Sequence, residues 1–284
     1  MIKVRYIYHD CFLIEVEDKC SMIFDYWKDG KDAPKDVTPD FVTNLNPNLP
    51  CYIFVSHHHK DHLNRVIFEW GADHGNLFYI LSKDTARFVR HILREDSVWN
   101  GYKLPASRYR VLTPGEGYSD DVIKISAFGS TDIGNSYLVD VGGNSFFHAG
   151  DLNAWIWKDE STDEEIEKSL KDYRKILDDI ASVAVNGVDV VMFPVDSRIG
   201  TDYFTGAVEW LSKIKTRFFF PMHFELATGE EELKQRKEDA ASFERYAPRN
   251  IATVFAALQS RGDSLAFSPV PQYLLTLDRG DANL

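Results

Sequence analysis

Apolar residues open this chain in short, strand-like runs. Residues 2–8, 11–16, 21–25 and 51–55 are each brief apolar or alternating stretches, and together they predict a β-meander. Residues 28–50 are rich in Lys, Asp and Asn and carry Pro34, Pro39, Pro47 and Pro50. They predict a loop over the surface, placed to cover the mouth of a site. A helical pattern follows at 84–93. Runs at 122–128, 136–141 and 145–149 predict strands, the last two joined by a hairpin turn at Gly142-Gly143-Asn144. The clearest helix is Ser161–Ala181, with a Ser/Thr start, an acidic first turn and apolar residues at Ile166, Leu170, Tyr173, Leu177 and Ile180. Val188–Val195 predicts a buried strand, Thr201–Ile214 a helix, Arg217–Phe220 a strand and 229–245 a charged helix. Strands first, then strands alternating with helices, predict an α+β fold of two sheets flanked by helices.

Composition narrows the picture. With 284 residues, 44% of them hydrophobic, one large domain spanning 1–284 is expected. A net charge of −12 argues against a nucleic-acid partner. The first ten residues hold no apolar signal core and no run approaches a membrane span, so no membrane insertion is expected. Three cysteines, Cys11, Cys20 and Cys51, are too few for a disulfide framework. Buried thiols and a cytoplasmic location are the expectation. Cys11 and Cys20 fall on facing strands, and a pairing between them stays open.

The densest chemistry follows the run Cys51–Val55. His57, His59, Asp61 and His62 put four metal-type ligands within six residues. Imidazole and carboxylate suit zinc, manganese or iron. His57 and His59 are two apart, so in an extended segment they point to the same side. The chain then turns, and Asp61 and His62 face a second position.

This spacing resembles that of the metallo-β-lactamase superfamily of metal-dependent hydrolases. The resemblance implies a four-layer αββα sandwich with the motif at the mouth between two sheets. It implies that His57 and His59 hold one metal, and Asp61 and His62 another. Ser145–Asp151, a strand ending in Gly-Asp, resembles the element that supplies a bridging carboxylate, Asp151. Pro221-Met222-His223 resembles the closing Pro-x-His, which makes His223 the last ligand. Where the superfamily has a further histidine, this chain reads Ser130-Thr131-Asp132. A hydroxyl is a poor ligand, so Ser130, Thr131, Asp132 and water are the alternatives there, and two full metal positions are not assured. Tyr6–Glu15 resembles the opening strand of the branch with ascorbate-6-phosphate lactonases and relatives of the phosphodiesterase that cleaves N-acyl phosphatidylethanolamines. Asp25 would orient a ligand histidine. His9 would line the pocket or simply end a strand.

Two further features lie near the implied mouth. Trp155 would wall the pocket or anchor a helix. Asp196 and Arg198 sit at a strand end, where Arg198 would hold an anionic substrate group or tie internally to Asp196. The reading is a metal-dependent hydrolase with one or two divalent transition metals, zinc first, acting on an ester, lactone or phosphoester. Asp151 would bridge and Asp61 accept a proton. The partner is a small molecule, with the oligomeric state open. The alternative is a degenerate member whose single or unproductive metal serves binding or structure. A diiron redox member would need an attached flavin domain, for which the length leaves no room.

Overall fold

The computed structural model describes residues 1–28, 39–248 and 252–269, and the backbone of 276–278. Two compact units emerge. The first comprises Met1–Thr113, Tyr118–Ile123 and Leu258–Leu284, and the second Pro114–Gly117 and Lys124–Ala257.

The first unit is built on an eight-stranded mixed sheet. Its strands are β1 (Ile2–Tyr8), β2 (Cys11–Val16), β3 (Cys20–Phe24), β4 (Cys51–Val55), β5 (Leu77–Ser82), β6 (Tyr109–Leu112), β14 (Ser264–Phe267) and β15 (Thr276–Asp278). Their spatial order is β15-β14-β1-β2-β3-β4-β5-β6. β1 alternates: Ile2, Val4 and Tyr6 are buried, while Lys3 and Arg5 reach solvent. β3 and β4 are buried at every position, as strands covered on both faces must be.

The predicted meander holds for β1–β3, which pair antiparallel. It fails at β4, which runs parallel to β3, with Ser21 opposite Cys51 and Phe24 opposite Phe54. A connection as long as 25–50 allows the crossover that a parallel pair needs, whereas a meander needs only a tight turn. Residues 29–38 of the predicted surface loop lie outside the described residues. Its later part holds a short helix, α1 (Asp40–Thr43), with Phe41 and Val42 buried. The helix expected over 84–93 is α2 (Lys83–Phe88), capped by Ser82 and followed by tight turns. Cys11, Cys20 and Cys51 are all buried, and none is in a disulfide.

The second unit carries a seven-stranded sheet in the order β13-β12-β11-β10-β9-β8-β7. Its strands are β7 (Gly117–Ser119), β8 (Ile123–Phe128), β9 (Ser136–Val141), β10 (Asn144–His148), β11 (Val188–Pro194), β12 (Thr216–Met222) and β13 (Val254–Phe255). Gly142 and Gly143, at φ +56° and +82°, close the β9–β10 hairpin in the left-handed region that its two-residue turn demands. β10 to β13 are parallel neighbours. Helix α3 (Asp163–Val183) connects β10 to β11, and α4 (Thr205–Lys213) connects β11 to β12. α4 starts four residues later than expected, because the chain after Gly200, at φ +96°, is wound in turns. α5 (Glu230–Ala241) is followed by a 3-10 turn at Phe243–Tyr246.

Two mixed sheets with helices make the α+β class expected from the pattern. Among the described residues, no helix is long and apolar enough to cross a membrane. In each unit, the loops that matter leave the carboxyl ends of parallel strands, where such sheets leave backbone and side chains available for ligands.

Candidate metal centre

In the first unit, Asp25 follows the end of β3 and Ser56 the end of β4, side by side. Asp25 is buried and lies in the left-handed region at φ +43°. Its Oδ1 accepts from the Ser56 backbone N–H at 2.7 Å, and its Oδ2 accepts from the Ser56 hydroxyl at 2.5 Å. The same Oδ2 lies 2.8 Å from His62 Nδ1. Ser56 Oγ, its proton given to Asp25, then accepts from His57 Nδ1 at 3.0 Å. One carboxylate therefore places the Nδ1 proton on both histidines, directly on His62 and through Ser56 on His57. Both rings keep Nε2 as a lone pair, the form that binds metal.

His57 and His62 are fully buried, with ring centroids 4.0 Å apart. His59 is exposed, 4.6 Å from His57 by centroids, and Asp61 is half-buried. His9, at φ +57°, is also buried and lies 3.8 Å through Nε2 from Asp61 Oδ2. The six residues predicted for this half (His9, Asp25, His57, His59, Asp61 and His62) are thus together. His58, whose ring turns aside, meets Asp84 at 2.9 Å instead.

In the second unit, Gly150, at φ +53°, turns the chain after β10 and presents Asp151. His223 follows β12 at φ +67°. His223 Nε2 lies 3.3 Å from Asp151 Oδ1, and its Nδ1 lies 2.9 Å from Asp196 Oδ2. Asp196, fully buried after β11, is thus to His223 what Asp25 is to His62. Burial opposes its ionisation, but the hydrogen bond and charge of His223, and then those of Arg198, hold its carboxyl well below the ordinary range. Arg198 grips Asp196 through Nε, at 3.0 and 2.7 Å, and through Nη2. Arg236 on α5 reaches the same carboxylate at 3.5 Å.

The Asp151 turn is tied through its backbone. Thr131 Oγ1 donates to the Asn153 carbonyl at 2.6 Å and accepts from the Asn153 N–H at 3.0 Å. Trp155 Nε1 donates to the Asp151 carbonyl at 2.8 Å, and its ring stands edge-on to His223 at 5.5 Å. Thr131 is therefore engaged with backbone. Ser130 Oγ accepts from the Asp132 N–H at 3.3 Å, which leaves the exposed Asp132 as the anionic group of the three.

The imidazoles of His57 and His62, held with Nε2 as the ligating nitrogen and with carboxylates beside them, fit a divalent cation. Three of the non-glycine residues in the left-handed region (His9, Asp25 and His223) fall among these groups, which is where stored backbone strain tends to collect. Sequence patterns did not reveal Ser56, Asp10 or Arg236. Ser56 and Asp10 stand beside recognised residues but belong to no pattern of their own, and Arg236 lies on a highly charged helix with no local signal.

No family model and no curated protein matches the chain. Solved structures do. Igni18, a metallo hydrolase from the hyperthermophilic archaeon Ignicoccus hospitalis, superposes with a TM-score of 0.58 at 16% identity, covering 94% of this chain and 98% of that one. YhfI, a metallo-β-lactamase fold protein from Bacillus subtilis, gives 0.55 at 10% identity over 93% and 98%. CmlA, a diiron β-hydroxylase from Streptomyces venezuelae, gives 0.57 at 13% identity, covering 90% of this chain and 53% of that one. At these identities the likeness is one of fold, and the fold is that of the metallo-β-lactamases, as the sequence motifs implied.

Proposed function

We propose that this chain is a metal-dependent hydrolase of the metallo-β-lactamase kind. In this reading His57, His59, Asp61 and His62 join Asp151 and His223 around one or two divalent metals. The observation that carries it is the relay from Asp25 through Ser56, which readies His57 and His62 as Nε2 donors at once.

A divalent metal held there supplies Lewis acidity, making water nucleophilic near neutral pH and polarising the oxygen that gains charge. The chain's own residues do the rest. Asp25 and Asp196 hold histidine rings in orientation. Thr131 and Trp155 hold the Asp151 turn. Asp61, partly open to solvent, takes a proton from the attacking water. Zinc is the first expectation, and manganese or iron suits the same donors. A diiron enzyme with a similar fold keeps iron in view.

The substrate class we assign is a small ester, lactone or phosphoester, in keeping with the branch that Tyr6–Glu15 resembles. Arg198 bears on whether that molecule is anionic. Its Nε and Nη2 are committed to Asp196, so a substrate anion would meet only the remaining edge of the guanidinium. The replacement of a histidine by Ser130-Thr131-Asp132 favours a second reading, a single firmly held metal. Location in the cytoplasm and action as one domain over 1–284 complete the proposal.

The test is direct. Protein purified without added metal is assayed for metal per chain, then screened on lactones, phosphodiesters and phosphomonoesters beside Asp151→Ala. At least one transition metal per chain is expected, with hydrolysis reduced by several orders of magnitude in Asp151→Ala. Absence of metal even after incubation with zinc, manganese and iron would remove the proposal.

A further inference from the structure

Asp10 follows β1 at the turn into β2, and its side chain is fully buried. A buried carboxylate loses its hydration and needs positive charge or donated hydrogen bonds in exchange. Its Oδ2 lies 3.1 Å from His9 Nε2 and 3.4 Å from His62 Nε2. His9 stands at ion-pair distance from it. Neutral His62 cannot donate to it, because Asp25 holds its proton on Nδ1 and Nε2 offers only a lone pair.

A lone pair facing a carboxylate at 3.4 Å is repulsive unless a positive species sits with them. Asp61 adds to the demand, since its Oδ2 lies 4.0 Å from the same His62 Nε2. A proton on His62 would answer one of these contacts. A divalent cation answers the lone pair and both carboxylates together. The turn itself is held in place: His9 is in the left-handed region at φ +57°, and its N–H donates to the Tyr6 hydroxyl at 2.8 Å.

We propose that Asp10 is itself a metal ligand, sharing a cation with His62, and that His9 fixes its orientation. This rests on the metal-centre reading above and extends it. An added carboxylate makes this position richer in oxygen and shifts its preference toward manganese or iron(II), relative to the same position without Asp10.

The test uses the full chain stripped of metal and titrated with Mn²⁺ and Zn²⁺ against a chelating indicator, wild type beside Asp10→Asn. Wild type should bind both. Asp10→Asn should bind Mn²⁺ at least about 10- to 100-fold more weakly, a loss that even an outer partner of a ligand produces, and should lose less for Zn²⁺. Asp10→Cys loaded with Co²⁺ should show an intense thiolate-to-cobalt absorption that wild type lacks. Unchanged affinity in Asp10→Asn, an equal loss for the two ions, or no such band in Asp10→Cys would each overturn the assignment and leave the metal centre standing. Wild type that binds no metal would overturn the centre and the assignment together. Where circular dichroism shows Asp10→Asn unfolded, the Asp10→Cys cobalt spectrum decides.

Discussion

Asp25 governs two histidines with one side chain, so its loss should be felt twice. Asp25→Asn keeps the shape but removes the charge and offers a donor where an acceptor is needed. It should weaken metal binding about 10- to 100-fold, measured by chelator competition. Ser56→Ala breaks only the link to His57 and should cost less. A second residue-scale expectation concerns the missing histidine. Thr131 is engaged with the Asn153 backbone and Ser130 with the Asp132 N–H, so of these three Asp132 is the one we propose as a metal ligand. Asp132→Asn should weaken the looser of two metal-binding steps in a calorimetric titration and spare the tighter one, whereas an even loss at both would assign Asp132 elsewhere. The ligands on the loop after β4 were legible because they are contiguous and their types admit few chemistries. Asp10, Ser56 and Arg236 were not, because their roles come from what the fold places beside them.

At the scale of elements, period and punctuation carried most of the reading. α3 illustrates why. Thr162 accepts from the Glu165 N–H at 3.3 Å, and the Glu165 carboxylate accepts from the Thr162 N–H at 2.8 Å, a reciprocal cap written in the sequence as Thr-x-x-Glu. Thr162→Ala should lower stability by about 1 kcal/mol in urea unfolding. The hairpin at Gly142-Gly143 was equally plain, since few residues tolerate two successive left-handed positions. β5 was harder. Leu77–Leu81 is a continuous apolar run of five residues, which periodicity alone does not separate from a helical segment. β6 and β14 have four residues each and show no full period. The parallel direction of β4 was hidden as well, because strand direction belongs to the crossover rather than to the strand.

At the scale of the whole molecule, acid should test one tie within the first unit. Asp120 accepts from the Tyr52 hydroxyl at 2.8 Å and from the backbone N–H groups of Val122 and Ile123 at 2.8 and 3.0 Å. Burial raises its pKa, but these donors outweigh it and bring the carboxyl below its ordinary 3.8. A depressed carboxylate stabilises the fold above the unfolded value and loses that contribution as pH falls toward the folded one. The advantage of wild type over Asp120→Asn in urea should therefore be full at pH 7 and shrink below about 3.8. The chain path has a different consequence. β1 is flanked by β2 on one side and by β14, from residues 264–267, on the other. During synthesis the ribosome releases residues 1–263 before that second neighbour exists. Until then β1 presents an open hydrogen-bonding edge to any other nascent strand. Messages truncated before the Ser264 codon should accordingly yield insoluble product, and slow decoding just upstream should raise dependence on chaperones.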